Sequence, residues 1–405
     1  MTAPPPAEPG GVHGHCDPAF RAVGDAFAEN FARGDELGAA IAVYQGDDLV
    51  VDLWGGIADR HTGRAWRRDT PCVAFSCTKA VTAAAALRLA ERGRYDLDGP
   101  VAGWWPEFAA HGKESTTAAH LLSHQAGLPV LDAPCTAEEA AGPGAMAARL
   151  AVQPPSWAPG TAHGYHALTY GWLAGEIVRR VAGRPVGEYV RDEFAGDLEL
   201  WIGAPDEVIE RAARLTARRP SAAAAADTGA DTARAGAAPG DAGLRARVLN
   251  NLGDPNSLIN RAMANPAAGK GGFNNPVVLR GGWPGAGMVA TASALAGFYR
   301  DLVGGRILRP ATLRAAIKPR VRGPDQVLIV DTAFGLGFML PSVVFPMPPA
   351  AQHGAFGHTG TGGSIGFGDI DRGIAMAYVM NRLGDRLTGD LRAHRLIAAL
   401  YEALS

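Results

Sequence analysis

Phe75-Ser76-Cys77-Thr78-Lys79 opens a stretch rich in alanine and leucine that runs to Arg92 and stops at Gly93. Alanine and leucine are strong helix formers, and a glycine just past the last periodic residue is a common C-cap. The spacing therefore predicts a helix over 76–92. Residues three apart share a helix face, so the Lys79 ammonium is expected beside the Ser76 hydroxyl. The free N–H groups and positive dipole end of a helix start would stabilise an oxyanion on a carbonyl attacked by Ser76. A buried lysine can lose its proton and serve as a base, whereas arginine cannot. Only four of the 38 basic residues are lysine, at 79, 113, 270 and 318. A lysine one turn after a serine therefore stands out, although Ser-x-x-Lys alone also arises by chance.

Working outward, Phe20, Val23, Phe27 and Phe31 recur at helical spacing. The apolar run 39–44, the turn Gln45-Gly46-Asp47-Asp48 and the return over 49–54 read as a hairpin. Helices are expected over 170–181, 292–303 and 390–404, and strands over 334–339 and 374–380. This order predicts an α+β fold with an antiparallel sheet flanked by helices. The sheet is built from both chain ends, 19–75 and 285–405, around an inserted, mostly helical region, 76–284. Residues 1–18, rich in Pro, Gly and His, are expected to be a disordered leader. Residues 217–243 hold no large apolar side chain and are expected to form a mobile surface insertion.

Composition narrows the function. The chain has 405 residues, 47% hydrophobic and 19% charged, with a formal net charge of −2. No basic surplus exists to neutralise phosphates, so nucleic acid is not an expected partner. The opening MTAPPPAEPGGVHGHCDP lacks the basic and apolar regions of a signal peptide, and no apolar run is long enough to span a bilayer. A cytoplasmic protein without membrane partners is expected. Cys16, Cys72, Cys77 and Cys135 form no CxxC pair and are expected to be idle thiols in a reducing compartment. Cys77 follows Ser76 directly, but no sequence-adjacent partner activates it. His163 with His166, and His353 with His358, are close pairs without an HExxH or third-ligand pattern, so they read as loop histidines. Neither a metal nor another cofactor is expected.

Two further segments sharpen the chemistry. Leu121-Leu122-Ser123-His124-Gln125-Ala126-Gly127-Leu128-Pro129 comes some forty residues after the first motif. Gly160-Thr161-Ala162-His163-Gly164-Tyr165 then precedes an amphipathic helix. A third, Gly357-His358-Thr359-Gly360-Thr361-Gly362-Gly363-Ser364, sits before an apolar strand. Together these motifs resemble the β-lactamase-like, penicillin-binding-type serine hydrolases: class C β-lactamases and family VIII carboxylesterases. The resemblance runs from about Phe20 to the C-terminus.

That resemblance implies a catalytic set of Ser76, Lys79 and Tyr165, with Tyr165 shuttling protons with Lys79. It implies an oxyanion hole made by the Ser76 and Thr361 amides. It makes Ser123 and His124 turn and packing residues. His358 stands where the family's Lys-Thr-Gly strand carries lysine, and His166, His358, Gly360 and Gly362 are expected to line the substrate. Two departures bear on substrate. Tyr165-His166-Ala167 replaces the lactamase branch's Tyr-x-Asn, and His358-Thr359-Gly360 replaces Lys-Thr-Gly. Ala167 offers no side-chain hydrogen bond, and a histidine is largely neutral at pH 7. An anionic β-lactam loses both anchors, so a small or medium neutral ester is the expected substrate. Acyl transfer or thioester hydrolysis, β-lactam or D-amino-acid peptide hydrolysis, and binding without catalysis are the rivals. Gly362-Gly363-Ser364-Ile365-Gly366 also matches the Gly-x-Ser-x-Gly elbow of α/β-hydrolases. Too little chain follows Ser364 for that fold's remaining βα units.

Overall fold

Each end of the chain carries a continuous apolar run, residues 38–44 and Ile374–Met380, and the two runs meet edge to edge. The computed structural model describes residues 11–142, 144–217, 248, 250–251, 253–384 and 390–405. Its main strands are Val12–Cys16 (β1), Gly38–Gln45 (β2), Asp48–Asp59 (β3), Ala355–Thr359 (β4), Ile365–Asp369 (β5) and Ile374–Met380 (β6). They form one antiparallel sheet in the order β1-β3-β2-β6-β5-β4, with the short strand Arg64–Ala65 added beside β3. β2 and β6 join the two ends, pairing Ala39 with Met380 and Gln45 with Ile374.

Successive side chains on a strand point to opposite faces. On β2 and β6 both sets are apolar. Ala40, Ala42, Ala375 and Ala377 enter one core, and Ile41, Val43, Met376 and Tyr378 enter the other. Helices cover both faces. Arg21–Ala32 (α1) buries Val23 and Phe27 on the second face. Thr78–Glu91 (α2) and Thr169–Ala182 (α3) pack against each other on the first side. Ala292–Val303 (α4) lies directly on β2, β5 and β6, and Leu391–Ala403 (α5) packs on α1. α2 is buried almost all round, which its alanines permit. A β-carbon on Gly337, whose φ is +86°, would fall 2.1 Å from the Ala83 methyl.

The structure departs from the sequence expectation in two places. Residues 12–16 are not disordered: they form β1, which covers the free edge of β3 and supplies partners to its backbone. Gly14 makes this possible, since a β-carbon there would lie 1.9 Å from the Asp52 carbonyl oxygen. The strand expected over 334–339 folds back on itself. Asp331–Phe334 pairs with Val321–Pro324, and Phe334 then faces Met339 across the turn at Gly335–Gly337. Residues 1–10 of the expected leader, and the expected insertion beyond Ala217, lie outside the described residues.

Candidate active site

The site is built around the entry to α2. Cys72–Val73 pairs with Val289–Ala290, and the Ala74 amide donates to the Met288 carbonyl at 2.9 Å. The chain then turns sharply through Phe75 at φ +47°. That left-handed conformation costs a non-glycine residue about 1–2 kcal/mol. The Phe75 ring packs on Phe273, with centroids 5.1 Å apart. The Thr78 hydroxyl fastens the turn by donating to the Phe75 carbonyl and accepting from the Met288 amide. Ser76 is thereby held in a 3-10 turn, Phe75–Cys77, that leads into the helix.

The Ser76 hydroxyl meets two side chains. Lys79 Nζ lies 3.0 Å from Ser76 Oγ, and the Tyr165 phenol donates to the same oxygen at 2.8 Å. Lys79 is fully buried, and its other two contacts are backbone carbonyls, Ala167 at 2.7 Å and Gly285 at 2.8 Å. Burial holds the Lys79 ammonium well below the usual lysine range, and no carboxylate offsets that effect. Three acceptors thus surround Nζ: the Ala167 and Gly285 carbonyls and the Ser76 hydroxyl oxygen. Lys113 is also buried, but its ammonium meets the carbonyls of Ala110 and Gln153 and the face of the Phe108 ring, with no hydroxyl among its partners in the described residues. Burial alone therefore does not set Lys79 apart; the hydroxyl beside it does.

Tyr165 lies on an irregular segment before α3. Its ring stacks on Phe334, with centroids 6.1 Å apart, and the Lys79 Nζ sits 4.8 Å from the ring centre. Burial pushes its phenol above the usual tyrosine range, so it stays protonated through neutral pH. Neighbouring loops brace the segment. His124, at φ +63°, uses Nδ1 to accept from the His166 amide, and its carbonyl accepts from the Gly164 amide. Ser123 donates to the Ala119 carbonyl. His166 is not open to a ligand. Its Nδ1 bonds the Gly164 carbonyl at 2.6 Å, and its Nε2 accepts from the Leu128 amide at 3.0 Å. Burial lowers its pKa to about 4.

β4 brings the glycine-rich segment against the same turn. Gly360 has no room for a side chain: a β-carbon there would lie 2.6 Å from the Ala74 carbonyl oxygen and 3.3 Å from Phe75 Cβ. This close approach packs β4 and Gly360 against the Ser76 turn, and Thr361 follows as the first residue of the 3-10 turn Thr361–Gly363. Among the described residues, neither the Ser76 nor the Thr361 amide donates to another backbone group. The Gly362 carbonyl is held from behind by Arg392 Nη2 at 2.7 Å and by the Gly384 amide at 2.8 Å. His358 donates from Nδ1 to the Thr359 carbonyl at 2.6 Å, which leaves Nε2 a buried acceptor without a partner among the described residues. Burial, reinforced by the nearby lysine, lowers its pKa to about 3.

The rival nucleophiles are poorly placed. Cys77 is fully buried, donates to the His358 carbonyl at 3.2 Å and has its thiol pushed up to about 12 by burial. Ser364 is buried, donates to the Ala74 carbonyl at 3.2 Å, and is followed by β5 where a nucleophile elbow needs a helix. Two residues at the site were not anticipated from sequence, Asp325 and Arg392. Asp325 Oδ1 accepts from the Tyr165 amide at 3.0 Å. Its sequence context, Gly-Pro-Asp-Gln, signals a turn but not the contact 160 residues away.

Comparison with known proteins gives a consistent picture. The family model described as beta-lactamase matches residues 3–400. The chain is 34% identical over 383 residues to the esterase/beta-lactamase LipL of Mycobacterium tuberculosis, covering 92% of this chain and 83% of that protein. Its structure is similar to the crystal structure of a family VIII carboxylesterase, with TM-score 0.83 and 32% identity over 97% of this chain and 100% of the other. A penicillin-binding protein homologue from Caulobacter crescentus gives TM-score 0.82 and 37% identity, with the same coverage.

Proposed function

From the chain's membership of the beta-lactamase family, and from its similarity to esterases along nearly its whole length, we propose that it is a serine hydrolase acting on esters through an acyl-enzyme on Ser76. The observation that carries the reading is the position of Ser76 Oγ, within hydrogen-bond reach of a buried amine and a buried phenol at once.

Lys79, as the free amine, takes the Ser76 proton while Oγ forms a bond to the ester carbonyl carbon. The carbonyl oxygen becomes an oxyanion, received by the Ser76 and Thr361 amides. On collapse the C–O bond to the alcohol breaks. The leaving alkoxide takes the Tyr165 proton, and the Lys79 ammonium returns one to Tyr165. Water then attacks the acyl carbon and gives its proton back through the same pair, and Ser76 leaves as the restored hydroxyl.

Neutral esters of small or medium size fit the surroundings better than anionic β-lactams. Ala167 offers only its backbone carbonyl, already taken by Lys79, and His358 carries no charge at neutral pH. The partner is thus a small-molecule acyl substrate. A cytoplasmic location accords with four free cysteines, and no described helix is long and apolar enough to cross a membrane. The test runs a chain-length series of p-nitrophenyl esters and nitrocefin side by side. The esters should give the higher kcat/KM by at least about a hundredfold, the scale that site hydrogen bonds and charges confer. Faster turnover of nitrocefin would reverse the substrate assignment.

A further inference from the structure

Asp325 is not among the groups that touch Ser76, yet its carboxylate makes more hydrogen bonds than most residues around it. We infer that Asp325 is a positioning residue for Tyr165, holding that residue's backbone so that its phenol meets Ser76. The inference rests on the proton-shuttle reading of Tyr165 given above.

Tyr165 has no regular secondary structure to fix it. The segment from His163 to His166 precedes α3 as an irregular strand of chain, and its placement depends on its neighbours. One neighbour is the loop around His124, which bonds the Gly164 and His166 amides. The other is the turn that Asp325 opens. Oδ1 accepts from the amides of Val327 and Leu328, both at 2.8 Å, which closes the turn locally. The same oxygen then accepts from the Tyr165 amide at 3.0 Å.

The second oxygen reaches the same segment by another route. Oδ2 accepts from the Thr332 hydroxyl at 3.2 Å, and the Thr332 oxygen lies 2.9 Å from His163 Nε2. Since Thr332 gives its proton to Asp325, it accepts from His163. The Gln326 amide adds a bond to the His163 carbonyl at 3.0 Å. The turn thus grips the segment at residues 163 and 165. Between them Gly164 presses against Val327, where a β-carbon would come within 2.9 Å of the valine side chain. Asp325 is 2% exposed, so water does not stand in for it.

The consequence is mechanical. The phenol oxygen must stay 2.8 Å from Ser76 Oγ at the end of a side chain whose anchor is this backbone. Displacing a reacting group by about 1 Å can lower a rate about a hundredfold. Losing one amide acceptor frees the anchor without touching substrate, so the loss should fall on kcat.

The experiment is a double-mutant cycle with p-nitrophenyl acetate. Asp325→Ala should lower kcat by about ten- to a hundredfold, with KM within about threefold. Asp325→Asn keeps a carbonyl oxygen for the Tyr165 amide and should recover kcat to within about threefold of the parent. In a Tyr165→Phe background, Asp325→Ala should cost less than about a further threefold, because no phenol remains to be positioned. If Asp325→Ala does not fold, Asp325→Glu takes its place in the same cycle; it keeps the charge but moves the acceptor. Equal losses in both backgrounds, or an asparagine variant as slow as the alanine one, would overturn the inference while leaving Tyr165 in its role. A Tyr165→Phe variant with full kcat would overturn both.

Discussion

Replacing Lys79 by arginine removes one property, the ability to shed a proton, while keeping most of the length and fixing a positive charge where the free amine has none. The structure sets the size of the effect. A positioned base contributes about 10²–10⁴ in rate, or about 3–5 kcal/mol of barrier. The site also resists the new side chain. Lys79 is fully buried against two carbonyls and a hydroxyl, with no carboxylate to pair with a fixed charge. An uncompensated buried charge costs about 3–5 kcal/mol, and the extra atoms about 1–3 more. Together these approach the about 5–15 kcal/mol that holds a typical domain folded.

Rates are therefore read per folded enzyme, from burst and steady-state phases with p-nitrophenyl acetate and folded fraction by circular dichroism. Lys79→Met, neutral and of similar volume, serves as the second variant. Both should lose about 10²–10⁴ in kcat. They should differ in stability. The folded-state pKa of Lys79 is depressed, so the stability linked to it is complete above the unfolded value of about 10.4 and is lost as pH falls toward the folded one. Methionine has no such dependence, so Lys79→Met should gain stability relative to the parent between pH 10 and pH 7. An arginine variant that keeps kcat within about tenfold would refute the reasoning and leave Lys79 as an electrostatic partner only.

Tyr165→Phe deletes one hydroxyl and keeps the stack on Phe334; kcat should fall by about 10²–10⁴ with little change in melting temperature. In a pH–rate profile, kcat/KM should decline toward acid as Lys79 takes up a proton. It should hold through pH 9–10, because the Tyr165 phenol is raised above its usual range. His166, at about 4, and His358, at about 3, lie too low to set an acid limb near neutrality, so a limb that moves with either histidine's replacement would contradict this assignment. Iodoacetamide should leave activity intact, because Cys77 is buried and its thiol sits near 12; rapid inactivation traced to Cys77 would reopen the thiol mechanism.

What could be read from sequence was whatever a local pattern encodes. The Ser76–Lys79 spacing at a helix entry, the 39–54 hairpin, the 292–303 helix and the 374–380 strand each follow from a short-range period. Contacts between distant segments left no such trace. The Asp325 carboxylate meets the Tyr165 amide, and the Arg392 guanidinium meets the Gly362 carbonyl, across separations that no periodicity records. The strand at 12–16 was hidden by its histidines and glycine, which read as a polar leader; only the open edge of β3 gives that stretch its order. His166 was misplaced for a related reason. Its position next to Tyr165 points to substrate, but both ring nitrogens are committed to backbone groups of neighbouring segments.

The central claim is that the acyl group passes through Ser76. The most direct measurement is intact-mass and peptide-mapping mass spectrometry after labelling with a fluorophosphonate, repeated on enzyme quenched during turnover of a slow ester. One adduct per chain is expected, on the peptide carrying Ser76, with none on a Ser76→Ala variant that retains its melting temperature. An adduct on Ser364 or Cys77, or undiminished ester hydrolysis by the Ser76→Ala variant, would contradict the account.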